Sequence, residues 1–242
     1  MTSAPCPFGI VFALGIEAGG LEALLGNVVA IRGRGFLVRQ GQLDDRRIVL
    51  VQSGPGRRRA AAATEALLED HRPAVVVAAG FAGGLDPGLR RGDIVVGDDV
   101  VDEGGRQYPI DLPPLPAAAA AAARVGRLLT VDRIIHTSAE KRALGRRYAA
   151  LAADMETMAV AEVCRRRQTL FLAVRVISDA ADEDLPADVE KLLARPSGPA
   201  RLAAAVGSLL RRPASLLILL RLRRNAREAS ARLAEFLVGA LK

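Results

Sequence analysis

The amino-acid sequence predicts an α/β layered fold, on three observations. Short apolar runs rich in Val and Ile alternate with Ala- and Leu-rich helical stretches. Those runs are continuously apolar rather than alternating with polar residues, the pattern of strands buried on both faces. Half of the 242 residues are apolar, enough for one large core.

The elements come in this order. A strand at Phe8–Leu14 leads into a helix over Ala18–Leu25. Two weaker strands, Val28–Arg32 and Phe36–Gln40, precede a strand at Ile48–Gln52 and a helix at Arg58–His71. Strands at Ala74–Ala79 and Asp93–Val96 come next, then a rigid proline-rich loop, Asp111–Pro116, and an alanine run, Ala117–Ala123, that begins a helix. A weak strand at Leu128–Ile134, a helix at Glu140–Tyr148 and a helix at Met155–Arg167 lead to the strongest apolar strand, Leu170–Ile177. An acidic loop with Pro and Gly, Asp182–Pro199, precedes helices at Arg201–Arg212 and Ala214–Leu241. No internal repeat is evident. Residues 1–200 read as one catalytic domain, and residues 201–242 as a basic, amphipathic, helical extension of it.

Composition removes several function classes. Aromatics are 3% of the chain and Trp is absent, so stacking platforms for single-stranded nucleic acid are not expected. The net charge of +7 sits in residues 201–242, which hold nine basic and two acidic groups; residues 1–200 balance at 25 of each. The basic character therefore belongs to the tail, and no nucleic-acid partner is expected from it. Two cysteines, Cys6 and Cys164, and two histidines, His71 and His136, form no metal-ligand spacing, so no metal is expected. Cys164 reads as a small core residue on a helix, and a reducing, cytoplasmic compartment fits. Met1–Pro7 carries no positive charge ahead of its apolar stretch, so no signal peptide is expected. No run of about 18 apolar residues predicts a membrane span.

Four places could carry chemistry. Gly80-Phe81-Ala82-Gly83-Gly84-Leu85 comes after the Ala74–Ala79 strand, where glycines let a backbone approach a ligand or simply turn. It lacks the dinucleotide fingerprint, as does Gly54-Pro55-Gly56, and no Walker lysine is present after either. Asp154-Met155-Glu156 lies at a strand-to-helix junction, where a carboxylate caps free amides or faces a ligand. Ser178-Asp179 ends the strongest strand, where α/β crevices form. Glu17 lies just past the first strand.

Their order and spacing resemble the methylthioadenosine/S-adenosylhomocysteine nucleosidase and purine nucleoside phosphorylase superfamily. The resemblance spans most of residues 8–184: the first strand into Glu17, SGPG (Ser53–Gly56), GFAGGLDPGLRRGDIVV (Gly80–Val96), DMETMAVAEVC (Asp154–Cys164) and VRVISDAAD (Val174–Asp182). It implies a three-layer phosphorylase/hydrolase-like fold, with a central mixed β-sheet flanked by helices. It also implies release of adenine from a 5′-substituted adenosine, without a cofactor. Asp179 then resembles the general acid at N7 of the purine, oriented by Ser178, and Glu17 the base that activates water. Glu156 resembles the acid on the ribose hydroxyls, with Met155 against the sugar. Gly80, Phe81, Ala82 and Gly83 border the substrate. Ile134 and Ile135 fall where the family lines the purine pocket, with Ile134 standing where an aromatic stacker is frequent.

The family also holds phosphorylases, which would need phosphate. An Arg and a Ser that hold it there correspond to Ala78 and Phe81 here, so hydrolysis is favoured. Arg57–Arg59, opening a helix after a glycine turn, are either a solvated helix start or an anion site. The tail LLRRPASLLILLRLRRNARE resembles the hopanoid-associated phosphorylase subfamily, which implies adenosylhopane, a lipid-linked adenosine, as substrate. It implies peripheral contact with the inner membrane surface as well. The alternative for the tail is a helix that covers the domain or an oligomer interface. The alternative substrates are methylthioadenosine and S-adenosylhomocysteine in salvage; further alternatives are a phosphate-dependent phosphorylase and a non-catalytic nucleoside- or lipid-binding protein. A homodimer or higher homo-oligomer is expected from the family.

Overall fold

The computed structural model describes residues 7–111, 115–185 and 213–241. The elements run β1 (Phe8–Phe12), α1 (Gly15–Glu22), β2 (Gly26–Gly33), β3 (Phe36–Leu43), β4 (Arg46–Gln52), α2 (Arg57–His71), β5 (Val75–Gly84) and β6 (Ile94–Asp102). They continue with β7 (Gln107–Pro109), α3 (Ala117–Ala121), β8 (Ala123–Thr130), α4 (Ser138–Tyr148), β9 (Ala152–Asp154), α5 (Thr157–Arg166), β10 (Leu170–Asp179) and α6 (Pro213–Ala240).

The sheet is mixed, as expected, and runs in the order β10-β6-β8-β9-β5-β1-β4-β3-β2, with β7 on the edge of β6. Strand β10 pairs with β5 as well as β6, so β5, β10, β6, β8 and β9 close on one another. The hairpin β2–β3 turns at Arg34-Gly35, both at positive φ, as a two-residue primed turn requires.

Alternation along the central strands explains the layers. Ile10, Phe12, Val77, Ala79, Val174 and Val176 face α1 and the C-terminal part of α6. Val11, Val76, Ala78 and Ala173 face α2 and α5. Each central strand is thus apolar on both sides, which is why its sequence shows no polar alternation. A third cluster, under α4, joins Leu85, Leu129, Leu144 and Ala153.

Several boundaries differ from the sequence expectation. The glycine run after Ala79 is not a turn: β5 continues to Gly84, paired with β10 and then with β9. The alanine run supports helix only to Ala121, and β8 starts at Ala123 because it pairs in parallel with β6 from Ile94. Strands β7 and β9, three residues each, were not expected; both are too short to show a period. The expected helix Arg201–Arg212, and Asp182–Pro199 beyond residue 185, lie outside the described residues.

The end of the chain is integral to the core. Leu233 and Leu237 on α6 are fully buried. Ser230 Oγ accepts from the Gly20 amide at 2.8 Å and donates to the Glu17 carbonyl at 3.2 Å, tying α6 to α1. A side chain at Gly20 would collide with the Ser230 carbonyl, so this contact needs glycine.

Candidate active site

The site forms where β1, β5, β9 and β10 end. Helix α1 starts directly after β1, and Glu17 in its first turn points back to the strand ends. Its Oε2 accepts from the Leu14 amide at 2.7 Å and its Oε1 from the Phe81 amide at 2.9 Å. Burial raises the Glu17 pKa above the usual carboxylate value, against the lowering effect of those amides and of Arg175.

Gly80 lies beside this carboxylate. A Cβ there would stand 2.6 Å from Arg175 Nη1 and 2.8 Å from Glu17 Oε1, so the absence of a side chain lets both reach the strand end. Arg175 is register-paired with Gly80 and almost fully buried. It forms an ion pair with Asp154 and donates from Nη2 to Thr157 Oγ1 at 2.7 Å.

Asp154 ends β9. Its Oδ1 accepts from Thr130 Oγ1 at 2.8 Å and its Oδ2 from the Thr157 amide at 3.1 Å, so it caps α5 while neutralising Arg175. The N-cap position itself belongs to Glu156. The Glu156 side chain turns away from α5 and accepts from the Gly56 amide at 2.8 Å, across to the start of α2. Burial first, then the Asp154 charge, pushes its pKa up to about 7. Three buried carboxyls, Glu17, Asp154 and Glu156, thus surround one buried guanidinium, and burial shifts Glu17 and Glu156 toward their neutral forms.

Asp179 completes the row. The β5–β10 register shifts between Ile177 and Asp179, and this irregularity opposes Asp179 to Gly83. A Cβ on Gly83 would lie 3.2 Å from Asp179 Oδ2. Ser178 Oγ donates to Asp179 Oδ1 at 2.6 Å and lies 3.2 Å from the Ala82 carbonyl. Gly80 and Gly83 are three strand residues apart, about 10 Å. Glu17 and Asp179 therefore both lie against the carboxyl-terminal half of β5, Glu17 beside Gly80 and Asp179 beside Gly83.

The remaining expected residues take various places. Met155 is half-buried beside Glu156. Ile134 is half-buried in the loop before α4, whereas Ile135 is buried in the cluster with Leu85 and Leu144. Arg57 is held by Asp132, Asp102 and the Thr130 carbonyl at 2.6–2.9 Å, and Arg59 donates to the Ser53 carbonyl at 2.9 Å. Two of the three arginines at the start of α2 are thus committed to protein partners. An apolar groove between the β2–β3 hairpin and α2 holds none of the acidic residues of the site.

Residues 7–210 match the family described as the Phosphorylase superfamily. The chain belongs to that superfamily. A 5′-methylthioadenosine/S-adenosylhomocysteine nucleosidase of Marinomonas sp. (strain MWYL1) is 32% identical over 211 residues, 76% of this chain and 90% of the relative. The nucleosidase of the same name from Neisseria meningitidis, solved with methylthio-immucillin-A, superposes with a TM-score of 0.72 at 25% identity, covering 97% of this chain and 98% of that one. The Colwellia psychrerythraea 34H enzyme, solved with adenine, gives 0.65 at 27% identity over 77% of this chain and 87% of that one. These members of the superfamily are nucleosidases, and this chain is an enzyme of that kind.

The sequence reading missed Arg175, Lys141 and the threonines of the site. Arg175 left a signal: a lone charge inside the apolar strand LFLAVRVISD must find a partner when buried. Lys141 left none, because its helix SAEKRALGRRY is polar almost throughout. Yet its ammonium is fully buried, 2.5 Å from Asp179 Oδ2.

Proposed function

We propose that this enzyme hydrolyses the N-glycosidic bond of a 5′-substituted adenosine such as methylthioadenosine or S-adenosylhomocysteine, releasing adenine without a cofactor. The observation that carries the reading is the pair of buried carboxyls along the carboxyl-terminal half of β5, Glu17 beside Gly80 and Arg175, and Asp179 beside Gly83 and Ser178. Asp179 protonates or hydrogen-bonds N7, so that the C–N bond breaks with its electrons held on the purine. The sugar develops oxocarbenium character, as in glycoside hydrolysis. Carboxylate charge on Glu17, and on Glu156 once it has ionised, favours that cation over the neutral substrate. Glu17 takes a proton from water as it attacks the anomeric carbon. Glu156 binds the ribose hydroxyls, and Met155 packs on the sugar. Gly80, Phe81, Ala82 and Gly83 border the nucleoside, with Ile134 and Ile135 on the purine side.

Water rather than phosphate as nucleophile is supported by Ala78 and Phe81 and by the internal partners of Arg57 and Arg59. A second reading, a lipid-linked adenosine such as adenosylhopane, rests on the tail. Its SLLILLRLRR segment lies on α6, a 28-residue helix, and would bring the enzyme to a membrane surface. Among the described residues no helix is long and apolar enough to cross a membrane. A homodimer or higher oligomer accompanies either reading.

The test is adenine release from methylthioadenosine, S-adenosylhomocysteine and a lipid-linked adenosine, each with and without phosphate. Equal release without phosphate is expected, and the substrate with the highest kcat/KM decides between the two readings. Strict dependence on phosphate would replace hydrolysis by phosphorolysis, and no release from any substrate would remove the catalytic reading.

A further inference from the structure

Lys141 is a fully buried cation that the proposed mechanism does not use. It reaches from α4 into the turn after β10. Its ammonium donates to Asp179 Oδ2 at 2.5 Å, to the Ala180 carbonyl at 3.0 Å and to the Glu183 carbonyl at 2.8 Å. All three of its protons are therefore placed. The turn is fastened from its outer side as well. Glu183 accepts from the Ala180 amide at 3.0 Å and pairs with Arg91 at 2.7 Å. Asp179 is thus gripped at both oxygens, Oδ1 by the Ser178 hydroxyl and Oδ2 by Lys141.

The consequence is one of lone pairs. Each carboxylate oxygen has room for about two donors. With one taken on each, Asp179 keeps one acceptor position per oxygen. We propose that Lys141 is the positioning residue of Asp179, holding its carboxyl so that it accepts two N–H groups from the departing base. The edge that matches is a 6-aminopurine with N7 protonated, which offers the amino N–H and the N7–H side by side. A 6-oxopurine offers an oxygen at the first place, and two acceptors would then face each other. Lys141 thereby contributes both to the rate and to the choice of base. This inference rests on Asp179 as the base-binding residue of the proposed function.

The test is a double-mutant cycle with Lys141→Met, Lys141→Arg, Asp179→Asn and the pair Lys141→Met/Asp179→Asn. It is read as kcat and KM on methylthioadenosine and on its 6-oxo analogue, methylthioinosine. Asp179→Asn is expected to lose about 10²–10⁴-fold in kcat. Lys141→Met should lose tenfold or more in kcat, less in KM, and narrow the preference for the amino base. Lys141→Arg, which keeps the charge, should recover part of both. In the Asp179→Asn background, Lys141→Met should change kcat no further, because its effect passes through that carboxyl. The double variant carries no unpaired buried charge, so it keeps the test valid if Lys141→Met alone does not fold. A Lys141→Met loss of equal size with and without Asp179 would reduce Lys141 to a structural residue and overturn the proposal. Wild-type kcat and base preference in Lys141→Met would overturn it too, while leaving Asp179 in place. Full activity of Asp179→Asn would instead remove the reading of Asp179 itself.

Discussion

Replacing Glu156 with Gln should stabilise the protein in alkaline buffer and leave its stability almost unchanged in acid. The magnitude comes from the site. Burial and the Asp154 charge raise the Glu156 pKa from 4.5 to about 7. Below 4.5 the carboxyl is protonated in both folded and unfolded chains, and it adds no pH dependence. Between 4.5 and about 7 the unfolded chain releases the proton while the folded one keeps it, so stability falls as pH rises. Each pH unit is worth about 1.4 kcal/mol, which makes the full loss about 3 kcal/mol above pH 7. Gln stays neutral, and its Oε1 can still accept from the Gly56 amide. For a chain of this size 1 kcal/mol moves Tm by about 2–4 °C, so the variant should melt about 6–12 °C above the wild type at pH 9. The gap should close at pH 4. Differential scanning calorimetry across pH 4–9 reads it directly. A gap that is constant with pH, or that widens toward acid, would show that Glu156 is not held in its neutral form by the fold. The same substitution should cost activity, because an amide presents one acceptor oxygen where the carboxyl of Glu156 presents two to the ribose hydroxyls.

Three further outcomes are expected. Gly80→Ala should fold but lose about 10²-fold in kcat, since its Cβ would press on Arg175 and Glu17; steady-state kinetics with a circular-dichroism control decides it. Arg175→Met should destabilise the protein by about 3–5 kcal/mol by leaving Asp154 buried without its partner, measured by urea titration. Cys164, fully buried with its thiol pushed up to about 12 by burial, should resist iodoacetamide at pH 8 until the protein is unfolded, as intact mass spectrometry will report.

Much of the architecture was legible because it is local or periodic. The central strands carry Val and Ile on both faces, and the helices between them repeat at helical spacing. Glu17, Glu156 and Asp179 were legible for another reason: each lies in a motif of fixed order, Glu17 just past the first strand, Glu156 at the start of a helix and Asp179 at the end of the strongest strand. Strands β7 and β9 were not legible, since three residues carry no period, and each exists only through its neighbour in the sheet. The extension of β5 through Gly80–Gly84 was hidden by its glycines, which suggest a turn until β10 and β9 are placed beside them.

The sequence by itself determined the α/β class, the superfamily motifs, the acidic residues of the site and the basic tail. Only the tertiary structure decided which charges share a site. Arg175 meets Asp154 and Glu17 because β10 pairs with β5 in one register. Lys141 meets Asp179 because α4 packs beneath the turn after β10, 38 residues away in sequence. Ser230 fastens the α1 backbone at Glu17 from across 213 residues. These partners lie on different elements, and a charge in a polar helix reads as solvated until folding removes the water around it.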